Sequence, residues 1–274
     1  MKSNSTIKFR RHILKLVGLG AIVFGGILSF FLKDILSTKT SSTPIIQPQT
    51  LMLPLPRFSS NIMLEKALAC RRSLRDYLDV PISLDALSML LWAAQGVTEV
   101  NYGFRTCPSA GGTYPLEIYA VVGKECVLIE DGKYLPEGSY KYNCKTHSVT
   151  MVKGGDLRDA LAKASLGQYW VKDARVNIIV CAVYERTTGR YGDRGYRYVY
   201  MEDGHVGQNI YLMAAALRLG TVAIGAFYDD EVRNVIGAKD NEHPLYVMPV
   251  GVPKQFYEIG EDDLRKYYLR MRGS

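Results

Sequence analysis

No part of the chain restricts its fold more than Cys107–Val122, with the sequence CPSAGGTYPLEIYAVV. Ser109, Ala110, Gly111 and Gly112 carry almost no side chain, so a flat ligand could lie directly against backbone N–H groups. From Glu117 to Val122 the residues become β-branched and aromatic without a breaker, which predicts a strand. A rigid strand presenting a bare loop is a common way to hold a cofactor. An ordinary Gly-rich turn entering a strand has the same composition, so the rest of the chain must decide.

The remaining pattern predicts helices and strands around this one. At 274 residues and 47% apolar, the chain can bury a full core in one globular domain plus an appendage. Asn61–Ala69 has helical spacing, with Ile62, Leu64 and Leu68 to one side. Ser83 reads as the N-cap of a second helix that turns Leu87, Leu90, Leu91 and Ala94 inward and stops at Gly96. Val176–Val183 is a nearly continuous apolar run, as expected of a central strand buried on both faces. Asp203 is placed to cap the longest helix, whose apolar face is Val206, Ile210, Met213, Ala214 and Leu217. A short helix over Asp229–Ile236 and a last strand over Pro244–Val250 follow.

The first 37 residues read as a membrane anchor or export signal. Leu16–Leu32 interrupts its apolar residues only with Gly18, Gly20, Gly25, Gly26 and Ser29. It lies at the short end of the ~17–25 residues that span a bilayer as a helix. Basic residues precede it and few follow, which predicts a cytoplasmic N-terminus and a globular domain on the far side. Arg10-Arg11 ahead of an apolar run is similar to a twin-arginine export signal, and a plain anchor with two incidental arginines fits the same residues. No small-residue cleavage site follows, which favours a retained anchor. Residues 38–58, rich in Ser, Thr and Pro, read as a tether, leaving 59–274 as the globular domain.

Charge and cysteine usage remove several functions. Seven basic residues before residue 41 face Asp34 alone and account for +6 of the net charge of +7. The globular part is nearly neutral, so no nucleic-acid partner is expected. The five cysteines form no C-x-x-C pair and describe neither a disulfide framework nor a zinc site. No metal site, Ser-His-Asp set or carboxylate pair is evident.

Two clusters remain. Arg71, Arg72, Ser73 and Arg75 offer forked donors suited to a phosphate, or form a surface patch answering nearby acids. Tyr191, Arg194, Tyr196, Arg197, Tyr198 and Tyr200 could line a cleft or cover a subunit interface.

Seven segments in order, LPLP from Leu53, RRSLR from Arg71, PSAGGTYPLE from Pro108, YGDRGYR from Tyr191, GHVGQN from Gly204, IGAF from Ile224 and VGVP from Val250, resemble the SagB-type (ThcOx-like) dehydrogenase branch of the nitroreductase superfamily. The resemblance covers about residues 53–255. It implies an α+β fold with a mostly antiparallel sheet flanked by helices, and a homodimer with FMN at its interface. Arg71, Arg72, Ser73 and Arg75 would hold the phosphate and ribityl chain, with Lys254 as a further phosphate ligand. Pro108, Ser109, Ala110 and Gly111, from the other subunit, would line the isoalloxazine ring, and Gln208 is a weaker cofactor-binding candidate than Lys254. Ile224 and Gly225 would offer backbone N–H groups to its N5 and O4 edge. The implied activity passes hydride between flavin N5 and a small organic or peptidic substrate, with NAD(P)H or another donor supplying electrons. Azole-forming members, which oxidise azoline rings in peptides, carry a Lys-Tyr pair where this chain has Arg190-Tyr191. Lysine can act as a base once desolvated, whereas arginine stays charged with a pKa above ~12. A reductase or dehydrogenase of small molecules is therefore favoured over an azoline oxidase or a non-enzymatic, membrane-tethered binding protein.

Overall fold

The computed structural model describes residues 50–273. Its strands are β1 (Thr50–Met52), β2 (Ile82–Ser83), β3 (Leu116–Val122), β4 (Val127–Glu130), β5 (Lys133–Tyr134), β6 (Gly138–Asn143), β7 (Ser148–Gly154), β8 (Val176–Ala182), β9 (Gly220–Thr221) and β10 (His243–Gly251). The α-helices are α1 (Leu64–Cys70), α2 (Leu84–Gln95), α3 (Arg158–Ala164), α4 (Tyr169–Asp173), α5 (Glu185–Tyr191), α6 (Arg194–Ala216), α7 (Asp229–Ile236) and α8 (Glu261–Arg272). Seven strands form the main sheet in the order β1-β7-β6-β3-β8-β10-β9, with every neighbouring pair antiparallel. The architecture is the α+β arrangement expected, with helices on both faces of an antiparallel sheet.

Side-chain alternation along β3 and β8 creates the two cores. Ile118, Ala120 and Val122, with Ile178 and Val180, join Leu87, Leu90 and Leu91 of α2 and Val199, Val206 and Ile210 of α6. Tyr119, Val121, Ile179 and Cys181 face the opposite way, against Leu161 of α3, Val171 of α4 and Val232 and Ile236 of α7. All seven residues of β8 are buried, which is why its sequence shows no polar alternation. Helix α2 begins as its sequence demands, with the Ser83 hydroxyl accepting from the Ala86 N–H at 3.1 Å.

Two expectations change, and one helix is added. Thr50–Met52 pairs with Ser148–Thr150 as an edge strand, and the Leu53 N–H donates to the His147 carbonyl at 3.1 Å. Ordered structure therefore reaches into the segment read as a tether. Asp203 does not cap the long helix; α6 has 23 residues and Asp203 lies in its middle, 5% exposed. The Tyr- and Arg-rich stretch after Asp193 forms its first two turns. Finally, α8 lies beyond the last strand, and none of its residues is buried. The anchor read over residues 1–37 lies outside the described residues; among those described, no helix is long and apolar enough to cross a membrane.

Candidate functional site

The arginine-rich segment after α1 runs as an extended strip locked between two other pieces of chain. The Leu74 N–H donates to the Thr221 carbonyl at 2.9 Å, and the Leu78 N–H to the Val252 carbonyl at 2.8 Å. The Lys254 N–H returns a bond to the Asp76 carbonyl at 2.9 Å. Beneath the strip, the buried Tyr77 hydroxyl donates to the Leu74 carbonyl at 2.8 Å. These bonds bring Arg72, Ser73, Arg75 and Lys254 to the lining of one cavity of about 860 Å³, which Asp76, Tyr169, Phe256, Tyr257 and Glu258 also line.

The three arginines then divide. Arg72 donates to the Ala69 and Arg71 carbonyls at 3.1 and 2.6 Å and stacks on Tyr257 at 3.8 Å. Its guanidinium is largely used in fastening the Tyr257 wall to the end of α1. Arg71 turns over the Tyr211 ring at 5.0 Å and lines a small adjoining cavity instead of the main one. Arg75 lies 5.4 Å from the Trp170 ring and makes only a long 3.5 Å bond to the Ser73 carbonyl. Among the described residues, neither Arg75 nor Lys254 has a carboxylate within ion-pair distance. Ser73 is tied to the Tyr211 hydroxyl at 2.9 Å, and the same hydroxyl accepts from the Ala223 N–H at 2.8 Å.

The small-residue loop folds as a single 3-10 turn, Ala110–Gly112, with Gly111 at φ 60° and Gly112 at φ 67°. Arg190 Nη1 donates to the Gly111 carbonyl at 3.0 Å. A Cβ at Gly111 would stand 2.5 Å from Tyr191 Oη and 2.7 Å from Arg190 Nη1. The last turn of α5 thus delivers Arg190 and Tyr191 to this loop, and only glycine lets all three approach.

The remaining candidates behave differently. The Ile224 N–H, expected to face a ligand, is taken by the Val247 carbonyl at 3.0 Å. The cause is a short antiparallel bridge between Ile224 and Val247. Gly225 keeps open space where a Cβ would stand. Gln208 is half-buried on α6 and is not among the residues lining the cavity.

Electrostatics single out groups that the sequence reading passed over. Burial drives the Glu202 carboxyl upward in pKa, against the lowering effect of the neighbouring Ser109 and Gln95 side chains, of which the Gln95 amide donates to Glu202 Oε1 at 3.2 Å. Burial and the Glu202 charge together push Asp203 up to about 8, and its Oδ1 has no hydrogen-bond partner. The signal was present, since both acids continue the buried period Val199, Glu202, Asp203, Val206 along α6. Cys107 is no nucleophile, because burial pushes its thiol up to about 12. Ser88, His147 and Tyr142 form a connected triplet at 2.7 and 2.8 Å, but the Ser88 hydroxyl is 1% exposed and donates to the Pro54 carbonyl. That triplet fastens the incoming chain and has no access to substrate.

A helix-flanked antiparallel sheet thus carries a cavity lined by Arg72, Arg75 and Lys254 and a loop bare of side chains. The sequence profile of the Nitroreductase family matches residues 68–252, and the chain belongs to that family. It is 48% identical over 202 residues to a Methanocaldococcus jannaschii protein assigned to the nitroreductases, covering 74% of this chain and 96% of that one. It is 31% identical over 149 residues to the trifolitoxin-processing protein TfxB of Rhizobium leguminosarum bv. trifolii, covering 50% of this chain and 38% of that one. A Ralstonia eutropha JMP134 structure solved as a nitroreductase shares the fold, with a TM-score of 0.64 at 24% identity over 77% of this chain and 96% of that one.

Proposed function

We propose that the chain is an FMN-dependent oxidoreductase of the SagB-type branch, acting as a homodimer on a small organic substrate. The observation that carries this reading is the cavity of about 860 Å³ that Ser73, Arg75 and Lys254 line together, with neither cation in an ion pair among the described residues and with Glu258 on the same lining already paired with Lys66 and Arg218. Two cations free of ion pairs beside Ser73 suit a phosphate monoester, because charge-assisted bonds from fixed donors are the strong ones. The bare backbone of Ser109–Gly112 suits a flat ring. Bound FMN would supply hydride transfer at N5, drawing on NAD(P)H or another donor.

This chain's own residues would then bind and orient. Arg75 and Lys254 hold the phosphate, and Arg72 fixes the Tyr257 wall. Arg190, already bonded to the Gly111 carbonyl, places a permanent positive charge at the loop. Such a charge can bind an anionic substrate or steady negative charge on a reduced ring, but it cannot take up a proton. Support for the dimer comes from exposed apolar residues on and before α1: Phe58, Met63 and Leu64 are 93%, 70% and 62% exposed. Leu64 lines a groove of about 370 Å³ with Ile62, Trp92, Leu212 and Met213, and the Phe58 ring lies 6.1 Å from that of Trp92. Anchoring of the domain on the outer side of a membrane remains a proposal from residues 1–37.

A peptide substrate is the second reading, favoured by the match to a trifolitoxin-processing protein and opposed by arginine at position 190. The test is the purified protein itself. Visible flavin absorbance that bleaches with NAD(P)H and recovers with a quinone or nitroaromatic acceptor is expected. Colourless protein that takes up no added FMN would refute the reading.

A further inference from the structure

Resting on the flavin reading above, we propose that α5 is the clamp of the cofactor loop, with Thr187 and Arg186 as its positioning residues: through Thr113 and the Tyr114 carbonyl they fix the backbone of Ala110–Tyr114 in one conformation.

The loop is poorly equipped to hold itself. Gly111, Gly112 and Tyr114 stand at φ 60°, 67° and 44°, so three of these five residues are left-handed. For a side chain as large as that of Tyr114 this conformation is unfavourable and needs support from its surroundings. The two glycines impose no conformation of their own. Within the turn, the Gly112 N–H donates to the Ser109 carbonyl at 3.1 Å, and the Thr113 N–H reaches the Ala110 carbonyl only at 3.3 Å.

Three side chains of α5 reach this loop. Positions 186, 187 and 190 are spaced i, i+1 and i+4, which puts them on one side of a helix. Arg186 Nη1 donates to the Tyr114 carbonyl at 3.0 Å. Thr187 Oγ1 lies 2.8 Å from Thr113 Oγ1, which itself donates to the Ala110 carbonyl at 3.0 Å. Because Thr113 commits its only hydroxyl proton to Ala110, Thr187 is the donor of that pair. Arg190 Nη1 donates to the Gly111 carbonyl at 3.0 Å. The carbonyls of Ala110, Gly111 and Tyr114 are thus held, directly or through Thr113, from one seven-residue helix.

The clamp is itself fixed. At its base the Val183 N–H donates to the Pro115 carbonyl at 2.8 Å. Behind it, a Cβ at Gly195 would stand 2.8 Å from Thr188 Cα, so glycine there lets α6 close against the α5 backbone. The other arm of the Arg186 fork pairs with Glu117 of β3, which Lys141 of β6 holds at 3.2 Å. Burial gives Thr187 its force: it is 1% exposed, and bulk water would not replace its hydroxyl.

Two readouts test the clamp on the purified protein. Thr187→Val keeps the shape of the side chain and removes the hydroxyl. In amide hydrogen exchange it should accelerate residues 112–114 about fivefold, the loss of one buried hydrogen bond, and leave β8 unchanged. Thr187→Ser, which restores the donor, should exchange as the native protein does. Arg186→Met, at an exposed side chain, should accelerate the same amides, and it decides alone if Thr187→Val fails to fold. In FMN titration followed by the visible band of the bound ring, Thr187→Val should weaken binding about fivefold. In a Thr113→Val background it should weaken binding no further. Native-like exchange at 112–114 in Thr187→Val or Arg186→Met, equal losses in Thr187→Ser, or losses that multiply with Thr113→Val would overturn the proposal. If the native protein binds no FMN, the flavin reading falls, and the exchange arm still accepts or rejects the clamp.

Discussion

Asp203→Asn should stabilise the protein at neutral pH and lose that advantage in acid. Asp203 lies in the middle of α6, 5% exposed, with its carboxyl pushed up to about 8 and Oδ1 unpartnered. In the unfolded chain the same group titrates near ~3.9. Below that value both states hold the proton, and the acid imposes no penalty. As pH rises towards 8, the folded state keeps a proton that the unfolded state releases, so stability falls by about 1.36 kcal/mol per pH unit. At pH 7 the gap is about three units, a penalty of about 4 kcal/mol. Asparagine removes this titration but buries an amide that inherits the unpartnered position, at a cost of about 1–3 kcal/mol. The net gain at pH 7 is therefore about 1–3 kcal/mol. For a domain of this size that is a rise of roughly 2–10 °C in Tm. Scanning calorimetry of native protein and variant at pH 4.5, 6, 7 and 8 reads it directly. A difference in stability that stays constant across that range would refute the reasoning, because it would show that Asp203 does not carry a proton into the fold.

Three further outcomes follow from the site. Replacing Arg75 and Lys254 together by Ala should strip FMN, since each removes a charge-assisted bond of about 1.5–3 kcal/mol; Arg71→Ala should cost far less, and equal losses measured by flavin occupancy would displace the phosphate from this cavity. Gly111→Ala should cost about 1–2 kcal/mol for its left-handed backbone and, by crowding Tyr191 and Arg190, depress turnover more than stability; unchanged steady-state kinetics with a quinone acceptor would count against the loop. Arg190→Lys should be the one substitution that raises azoline oxidation above background in an azoline-peptide assay, since a lysine can release its proton where arginine cannot; brisk azole formation by the native protein would reverse this view.

The sequence was legible where one physical demand dominates. Ser83 caps, the apolar period of α2 and the seven buried residues of β8 each follow from a single requirement, and all are found. Legibility failed where two demands compete at one residue. Glu202 and Asp203 put charge into the buried stripe of α6 and the Arg and Tyr residues before them make its first turns look polar, so the sequence reads as a helix starting at Asp203. Ile224 sits beside a permissive glycine, yet its N–H is claimed by a strand partner, Val247, that no local pattern announces. Position 190 was legible as chemistry but not as geometry. Its contact with the Gly111 carbonyl joins residues 79 apart in sequence.

The arginine cluster explains why a charge count could not find the anion site on its own. Three guanidinium groups within five residues do three different things. Arg72 donates to the Ala69 carbonyl in the last turn of α1, where a positive charge also meets the negative end of the helix dipole. It then offers its flat face to Tyr257, so the cavity wall is fastened to a helix terminus. Arg71 stacks on Tyr211, the residue that also holds Ser73 and the Ala223 N–H. Two of the three cations are therefore framework, and they leave Arg75 as the open fork. Because the strip is bonded to Thr221 and Val252 through its main chain, Arg75 is delivered on a fixed backbone. A ligand that binds there need not order the loop first, so less binding energy is lost to ordering. The same main-chain bonding, Lys254 N–H to the Asp76 carbonyl, fixes the backbone from which Lys254 reaches the cavity that Arg75 also lines. Among the described residues neither cation is held by an ion pair, so an anion bound there would not have to break one first.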